Sequence, residues 1–319
     1  MTQPRTLNER ALQIAYDMAH RADELCIAAH ATTAGARILD CGIQVSGGLQ
    51  AGLSMARACL AGLAEIHLAL IESAISCPYV RVFSDQPVAA CLAAQYAGWQ
   101  IQVGKFFAMG SGPMRAIYGK EALFDDIPGR EHSPVAVGIL ETRKLPDDSV
   151  VEFLCQRLQI PAAKLTLLAA PTSSLAGTVQ IVARSLETAL HKLHELHFDL
   201  ARVVSGFGSA PLPPVAADNI QAIGRTNDAV LYGGRVTLWV RGIADEALTE
   251  IGPKVPSAGS PDFGCPFAVL FERYGRDFYK IDPMLFSPAE ITFHNLDSGN
   301  THRFGETNME ILHKSFFSP

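Results

Sequence analysis

The chain lacks most of the devices by which a sequence announces its chemistry. No GK[ST] closes a glycine-rich loop, and no full GxGxxG follows a strand, so neither a P-loop nor a dinucleotide fingerprint is present. There is no GxSxG elbow and no HExxH, which leaves nucleophilic and metal-assisted hydrolysis without support. The seven cysteines, at 26, 41, 59, 77, 91, 155 and 265, form no CxxC pair. An odd count at wide spacing implies neither a disulfide framework nor a zinc site, and most of these residues sit in apolar surroundings as buried thiols. Charge is sparse, at 18% of residues with a formal net charge of −6, and no basic run is present, which argues against a nucleic-acid partner. No apolar run is long enough for a membrane span: the most apolar window, Ala56 to Ser76, contains Arg57, Glu65, His67 and Glu72. The opening MTQPRTLNERALQIAYDMAHRADEL reads as a charged amphipathic helix and not as a signal peptide, so a soluble, cytoplasmic protein is expected.

What is present is ample material for a core. In 319 residues, 48% are hydrophobic, enough for two domains. The periodicity predicts a first helix from Leu7 to His30, with Leu7, Ala11, Ile14, Ala15, Met18, Ala22 and Leu25 on its apolar face. Strands are expected at 36–43, 79–83 and 99–107, and a helix at 87–97. In the last third, the segment from Asp228 to Val240 reads as a hairpin around Gly233-Gly234. Residues 267–271, 278–281 and 289–295 read as further short strands. The fold class is therefore α/β (α+β), in two α/β subdomains with a ligand cleft between them: residues 1–165, and residues 166–319 with a strand-rich tail. The long Pro/Gly/Ser-rich connection IGPKVPSAGSPDFGCPF is the kind of irregular loop that often carries function.

Two segments echo one another. Residues 46–63, SGGLQAGLSMARACLAGL, lie over residues 173–190, SSLAGTVQIVARSLETAL, with almost no gap. Internal duplication and chance likeness of Ala/Gly-rich helices both account for this. In the overlay Arg57 matches Arg184, but Leu60 stands where the second copy has Glu187. Arg184 and Glu187 are three residues apart, so on a helix their side chains share a face about 60° apart around the axis. A carboxylate held beside a guanidinium next to a loop of small residues can activate water. The same spacing also describes an ordinary solvated helix ion pair. His191, His194 and His197 recur every three residues; HxxH can be a metal pair, and a helix surface is the favoured reading.

Two further places offer binding chemistry. GSGPMRA, residues 110–116, follows a strand-like run, and its Ser111 and Gly112 lie in a loop whose backbone N–H groups suit an anion or ligand. Lys105, just upstream, is placed to point into the same cleft. Glu141 ends another strand candidate and supplies a second carboxylate.

Taken together, VGKFFAMGSGPMRA, TSSLAGTVQIVARSLETALHKL, VVSGFGSAPLPP, PSAGSPDFGCPF and FYKIDPMLFSPAEITFHNLDSG resemble, in order and over nearly the whole chain, the methenyltetrahydromethanopterin cyclohydrolase family of one-carbon metabolism. Phe263 stands where the family pattern has Tyr, and Ser298 where it has Thr. The resemblance implies hydrolysis of a methenyl group bridging two nitrogens of a pterin system, giving the formyl derivative, reversibly. It implies no metal and no cofactor, the tetrahydromethanopterin-type pterin being the substrate, and a homo-oligomer, a trimer. The family's catalytic pair falls on Arg184 and Glu187, with Glu187 as general base, and Lys105, Glu141, Ser111 and Gly112 become substrate-binding candidates. A phosphate-handling transferase and a non-catalytic pterin carrier are the competing classes. The first predicts Mg²⁺-dependent nucleotide binding; the second predicts tight binding without turnover.

Overall fold

The computed structural model describes residues 5–317. It contains twelve strands: β1 Ala28–Ala31, β2 Arg37–Asp40, β3 Glu65–Ala69, β4 Tyr79–Ser84, β5 Trp99–Val103, β6 Phe106–Ser111, β7 Ala136–Glu141, β8 Leu165–Ala170, β9 Val203–Pro211, β10 Arg235–Val240, β11 Glu290–Asn295 and β12 Thr301–Gly305. They form two six-stranded sheets in two compact units. The first unit runs up to Ala64 and resumes over Ala89–Gln180; the second comprises Glu65–Val88 and Ile181 onward. The chain therefore passes between units three times, in place of the single crossing at 165/166 expected from the sequence.

In the first unit the strand order is β1-β2-β8-β7-β6-β5. The central β2, β8 and β7 are parallel, and the outer strands pair antiparallel. β8 is LTLLAA, buried throughout. Alternation sends Leu168 and Ala170 into one core with the helix Leu7–His20, and Leu165, Leu167 and Ala169 into another with the helix Asp148–Leu158. A parallel strand covered on both faces reads as one continuous apolar run. The sequence reading did not assign β8, and that run is the signal that marks it.

In the second unit the order is β12-β11-β10-β9-β4-β3, antiparallel except for the β10–β11 pair. The helix Ser185–Glu195 packs on β9, β10 and β4, and the helix Asn219–Leu231 packs on β9. This pattern differs from that of the first sheet, so the two units are not copies of one topology. The two echoing segments instead begin on adjacent parallel strands of the first unit. The helix Leu49–Cys59 follows β2, and the helix Leu175–Val182 follows β8. They touch where Gly52 meets Ala176 and Val179; a Cβ on Gly52 would lie 2.7 Å from the Val179 Cβ.

Several local expectations change. The first helix ends at His20, after an N-terminal capping box of Thr6 and Glu9, and a short turn of helix over Ala22–Leu25 closes at Cys26 in the left-handed region. The stretch 99–107 is two strands, β5 and β6, folded back at Gly104-Lys105. The helix expected at 87–97 is a π-helix, Val88–Gln95. The hairpin expected at 228–240 is the last turns of a helix capped by Asp218, followed by β10, which pairs with β9 and β11. Residues Phe267–Arg273 form a helix and Phe278–Lys280 a single 3-10 turn, not strands. Their aromatic content, which suggested strands, serves a ring cluster: Phe271 and Phe278 have centroids 4.6 Å apart, and Phe267 and Phe286 5.8 Å. The strand expected at 289–295 is present as β11.

Candidate active site

In the first unit Asp40, Glu141 and the turn after β8 lie at the carboxyl ends of the parallel strands, where open α/β sheets commonly hold ligands, whereas β6 runs antiparallel to β7 and carries Ser111 and Gly112 toward the amino end of β7. Asp40 ends β2 fully buried, and its carboxylate accepts from the backbone N–H groups of Gly42, Ile43 and Gln44 at 3.0, 2.6 and 2.8 Å. After β8 the turn at 171–174 is set by Ser174, whose hydroxyl donates to the Pro171 carbonyl at 2.8 Å and accepts from Gly177 N–H at 3.0 Å. Thr172, 2% exposed, donates its hydroxyl to Oε1 of Glu141, the half-buried last residue of β7.

The loop after β6 is used differently from the sequence expectation. Ser111 is 2% exposed, with its hydroxyl 3.5 Å from Cys59 Sγ and 3.4 Å from the Ile139 carbonyl. Gly112 has φ +86°, and a Cβ there would lie 2.5 Å from Ile139 Cδ1, so the tight turn requires glycine. The cation of the motif, Arg115, is fully buried. Its Nε donates to Glu121 Oε1 at 2.8 Å, its Nη2 pairs with Glu121 Oε2, and its Nη1 donates to the carbonyls of Leu92 and Ala94 at 3.1 and 3.3 Å. Arg115 thus braces the π-helix, and the loop has no arginine left for an anion. Lys105 is exposed in the turn between β5 and β6. It precedes β6 and Ser111 ends it, so the two stand roughly 20 Å apart along the strand. The structure does not bring Lys105 beside the Ser111-Gly112 loop.

The run from 175 to 195, which leaves the first unit after Gln180, is not one helix. It breaks at Ala183-Arg184, and Arg184 is the N-cap of the helix Ser185–Glu195. Glu187 is the third residue of that helix, in the positive end of its dipole, where a carboxylate is favoured. Arg184 Nη1 and Glu187 Oε2 are 3.8 Å apart, an electrostatic contact longer than a hydrogen bond. The two residues are only 8% and 5% exposed, so this is no solvated surface pair. The helix is seated closely on β9, whose Gly206 and Gly208 have no side chains facing it. A Cβ on Gly208 would lie 2.6 Å from Ser185 Oγ and 2.8 Å from Leu186 N; on Gly206 it would lie 2.7 Å from Leu186 Cδ1. The motif VVSGFGSAPLPP therefore acts as a platform for the helix that carries the pair.

The same helix is tied down further along. Lys192 is 2% exposed and donates from Nζ to the Met284 carbonyl. Burial pushes its amine down to about 8, against the opposing pull of Asp282. Asp282 in turn accepts from Ser260 Oγ at 2.6 Å and Met284 N–H at 3.1 Å, and its own N–H donates to Asp262 at 2.8 Å. Phe267 N–H donates to Asp228 Oδ1 at 2.8 Å, and Tyr232 OH donates to the Cys265 carbonyl at 2.7 Å. Burial raises the Asp228 carboxyl to about 7, with smaller lowering by Ser315 and Phe267 N–H. Asp228, Tyr232 and Lys192 are among the buried polar groups that sequence reading missed, since each looks like an ordinary helix-face residue. His191 and His194 both stand near Glu195, at 3.7 and 3.5 Å. Among the described residues no group of three or more His, Cys, Asp or Glu is arranged to hold a metal, and no helix is long and apolar enough to cross a membrane.

Comparison with known proteins gives a consistent result. The family described as Cyclohydrolase (MCH) matches residues 6–316. A protein of Rhodopirellula baltica named methenyltetrahydromethanopterin cyclohydrolase is 48% identical over 292 residues, covering 89% of this chain and 87% of its own length. Proteins of the same name from Methylobacillus flagellatus and Methanococcoides burtonii are 45% identical over 283 residues and 38% over 313. The former alignment covers 88% of this chain and 86% of the relative, the latter 98% of each. With near-complete coverage in both directions, this chain belongs to the cyclohydrolase (MCH) family.

Proposed function

We propose that the protein is a methenyltetrahydromethanopterin cyclohydrolase in which Glu187 is the general base and Arg184 its partner. The observation that carries the assignment is the pair itself: a carboxylate and a guanidinium 3.8 Å apart, each less than a tenth exposed, at the start of a rigidly seated helix. The relatives' name supplies the substrate class.

The methenyl carbon lies between two nitrogens as an amidinium-like cation, so its electrophilicity is built into the substrate. The protein's task is to place a water on that carbon and take its proton. Glu187 accepts one proton as the water oxygen bonds to carbon, giving a neutral hydroxy adduct. One C–N bond then breaks. Its electron pair stays on the leaving nitrogen, which is protonated, and the adduct's hydroxyl proton is lost as the formyl C=O forms. The net change is addition of water and release of one proton. The Arg184 guanidinium, 3.8 Å away, faces the carboxylate and orients it. General base catalysis of this kind contributes typically about 10²–10⁴-fold, and positioning of water adds to it.

The loss of methenyl-pterin absorbance after adding the protein, with methenyl-tetrahydrofolate as the comparison substrate, tests this. Glu187→Gln is expected to lower kcat by about 10²-fold or more, with a smaller change in KM. Near-normal turnover by that variant sinks the base assignment. Glu141 and the Gly112 turn are placed with the substrate-binding groups, and Ser111 supports that turn from inside. Lys105 stays a weaker substrate contact, at the other end of β6 from the Ser111-Gly112 turn. The protein works as a homotrimer in the cytoplasm, with the pterin as its small-molecule partner.

A further inference from the structure

The second sheet has a face that its helices leave open. The helix Ser185–Glu195 lies on the side of Gly206 and Gly208. The alternate residues of β4, β9, β10 and β11 point the other way, and most of them are half-buried or exposed. Such a face on an antiparallel sheet is ordinarily polar. Here a row of rings crosses it: His67 on β3, Phe83 on β4, Phe207 on β9, Trp239 on β10 and His294 on β11. His67 stacks on Phe83 with centroids 6.0 Å apart, Phe83 stands opposite Phe207, and Trp239 lies 5.4 Å from His294. Phe83 is 43% exposed. A groove of about 440 Å³ opens between Phe83, Phe207 and Trp239, bordered by Asp85, Ser205 and Leu296. Single exposed apolar side chains are ordinary, but a continuous row across five strands marks an interaction surface.

The strand register says what covers it. Asp85, Ser205, Trp239 and His294 stand in one row across the sheet, Asp85 accepting from Ser205 Oγ at 2.7 Å. The next row is Glu65, Phe83, Phe207, Thr237, Thr292 and Arg303. A two-fold axis running along the strands, between β9 and β10, reverses the strand order. It lays β9 on the β10 of a second copy, β4 on its β11 and β3 on its β12, so each row meets itself reversed. Trp239 then falls on the partner's Ser205, at the groove, with Phe207 on the partner's Thr237 and Phe83 on the partner's Thr292. Each large ring meets a small hydroxyl side chain. Toward the edges the Asp85 carboxylate meets the partner's His294, and Glu65 meets the partner's Arg303. One operation thus matches large with small and acid with base, which is the self-complementarity that an isologous contact requires. Facing sheets pack about 10 Å apart with strands within about 30° of each other, so the match holds best in the rows nearest the axis.

We propose that this face of the second sheet docks the same face of a second copy of the chain, with Trp239 as the anchor and the Asp85–His294 contacts setting the register. A small flat ligand would fill the groove but would leave the rest of the row uncovered. The face spans roughly 24 by 17 Å, about 400 Å², against the roughly 800 Å² per partner of a stable complex. The contact is therefore a weak one that forms as the protein is concentrated. It closes in pairs, so it adds to the mass of whatever assembly carries it, a trimer included. The helix with Arg184 and Glu187 lies on the opposite face of the sheet, so docking leaves that pair untouched.

Sedimentation equilibrium of the full-length protein from about 1 to about 300 µM tests this, beside Trp239→Glu, His294→Glu and the double variant Asp85→Lys/His294→Glu. Wild-type mass is expected to at least double across the range. Trp239→Glu enters the contact twice and should weaken association about 100-fold or more, with a melting temperature within about 2 °C of wild type. His294→Glu sets a carboxylate against the partner's Asp85 and should weaken it about tenfold; the double variant should return it to within about threefold. Within one chain Asp85 and His294 are three strand spacings apart, about 14 Å, so the rescue requires contact between copies. Equal masses for wild type and Trp239→Glu at every concentration overturn the inference. A folded double variant that associates no better than His294→Glu overturns it too. So does a Trp239→Glu variant whose KM for the methenyl pterin rises about tenfold at unchanged mass, which gives the groove to a small ligand. Mass and melting are read without turnover, so an inactive protein counts against the cyclohydrolase reading alone.

Discussion

Gly208→Ala puts one methyl group between β9 and the helix that carries Glu187. The added Cβ would stand 2.8 Å from the backbone nitrogen of Leu186 and 2.6 Å from Ser185 Oγ. The hydroxyl can rotate away, but the backbone nitrogen cannot. Ordinary contact begins near 3.4 Å, so the helix start must lift by about 0.6 Å or the strand must yield by as much. Overpacking of this kind costs about 1–3 kcal/mol. At about 2 kcal/mol the melting temperature of a unit this size falls by about 4–8 °C. Leu186 is the residue before Glu187, so the same lift is passed to the carboxylate. A misplacement of about 1 Å is worth about 10²-fold in rate, which scales to roughly tenfold in kcat here. Gly206→Ala is the control. Its Cβ would meet Leu186 Cδ1 at 2.7 Å and Cδ2 at 3.1 Å, the ends of a side chain that can turn. It should cost less than about 1 kcal/mol and leave kcat within about twofold. Steady-state kinetics and a thermal melt of the three proteins decide the matter. A Gly208→Ala variant with wild-type kcat and melting temperature, or a Gly206→Ala variant that is the worse of the two, refutes the idea that β9 glycines seat the helix that carries Glu187.

Two other expectations follow from the second unit and the assembly. Asp228 is fully buried and its carboxyl titrates near 7 in the fold, against about 3.9 in the unfolded chain. Between those values the folded state holds the extra proton, so stability falls as pH rises from about 4 to about 7 and is level above, by up to about 1.4 kcal/mol per pH unit from this group. Asp228→Asn keeps an acceptor for Phe267 N–H and cannot ionise. Its denaturant midpoint should lose that component of the slope and exceed wild type at pH 8; a midpoint that tracks wild type across the range removes the assignment. For the assembly, light scattering is expected to give a mass near three times 34.3 kDa; a single-subunit mass at micromolar concentration counts against the trimer.

The sequence carried the chemistry further than it carried the geometry. Arg184 and Glu187 were singled out by their three-residue spacing together with the resemblance, although Arg184 proves to be the N-cap and not a residue of the helix itself. Glu141 at a strand end and the Gly112 turn were also legible, the first from an apolar run that stops at a charge, the second from glycine and proline after a strand. The reading failed where a pattern has two uses. The aromatics at 267–278 suggested strands and instead pack on one another from a helix and a turn. The glycine pair at 233–234 suggested a hairpin, although the Asp218 cap had already begun a helix upstream. β8 was unassigned because a strand buried on both faces shows no alternation.

By itself, then, the sequence determined which residues stand together locally and, through five ordered segments, the family to which the chain belongs. It did not determine what each charge meets. Only the tertiary structure decided that Arg115 is consumed by Glu121 and two carbonyls, and that Lys105 and Ser111 stand at opposite ends of β6. Only the fold makes the Arg184–Glu187 pair a buried one and not a surface ion pair. The physical reason is the range of the forces involved. Helix periodicity acts over three or four residues, whereas burial is set by atoms brought close from positions such as Gly208, distant along the chain and adjacent only in the fold.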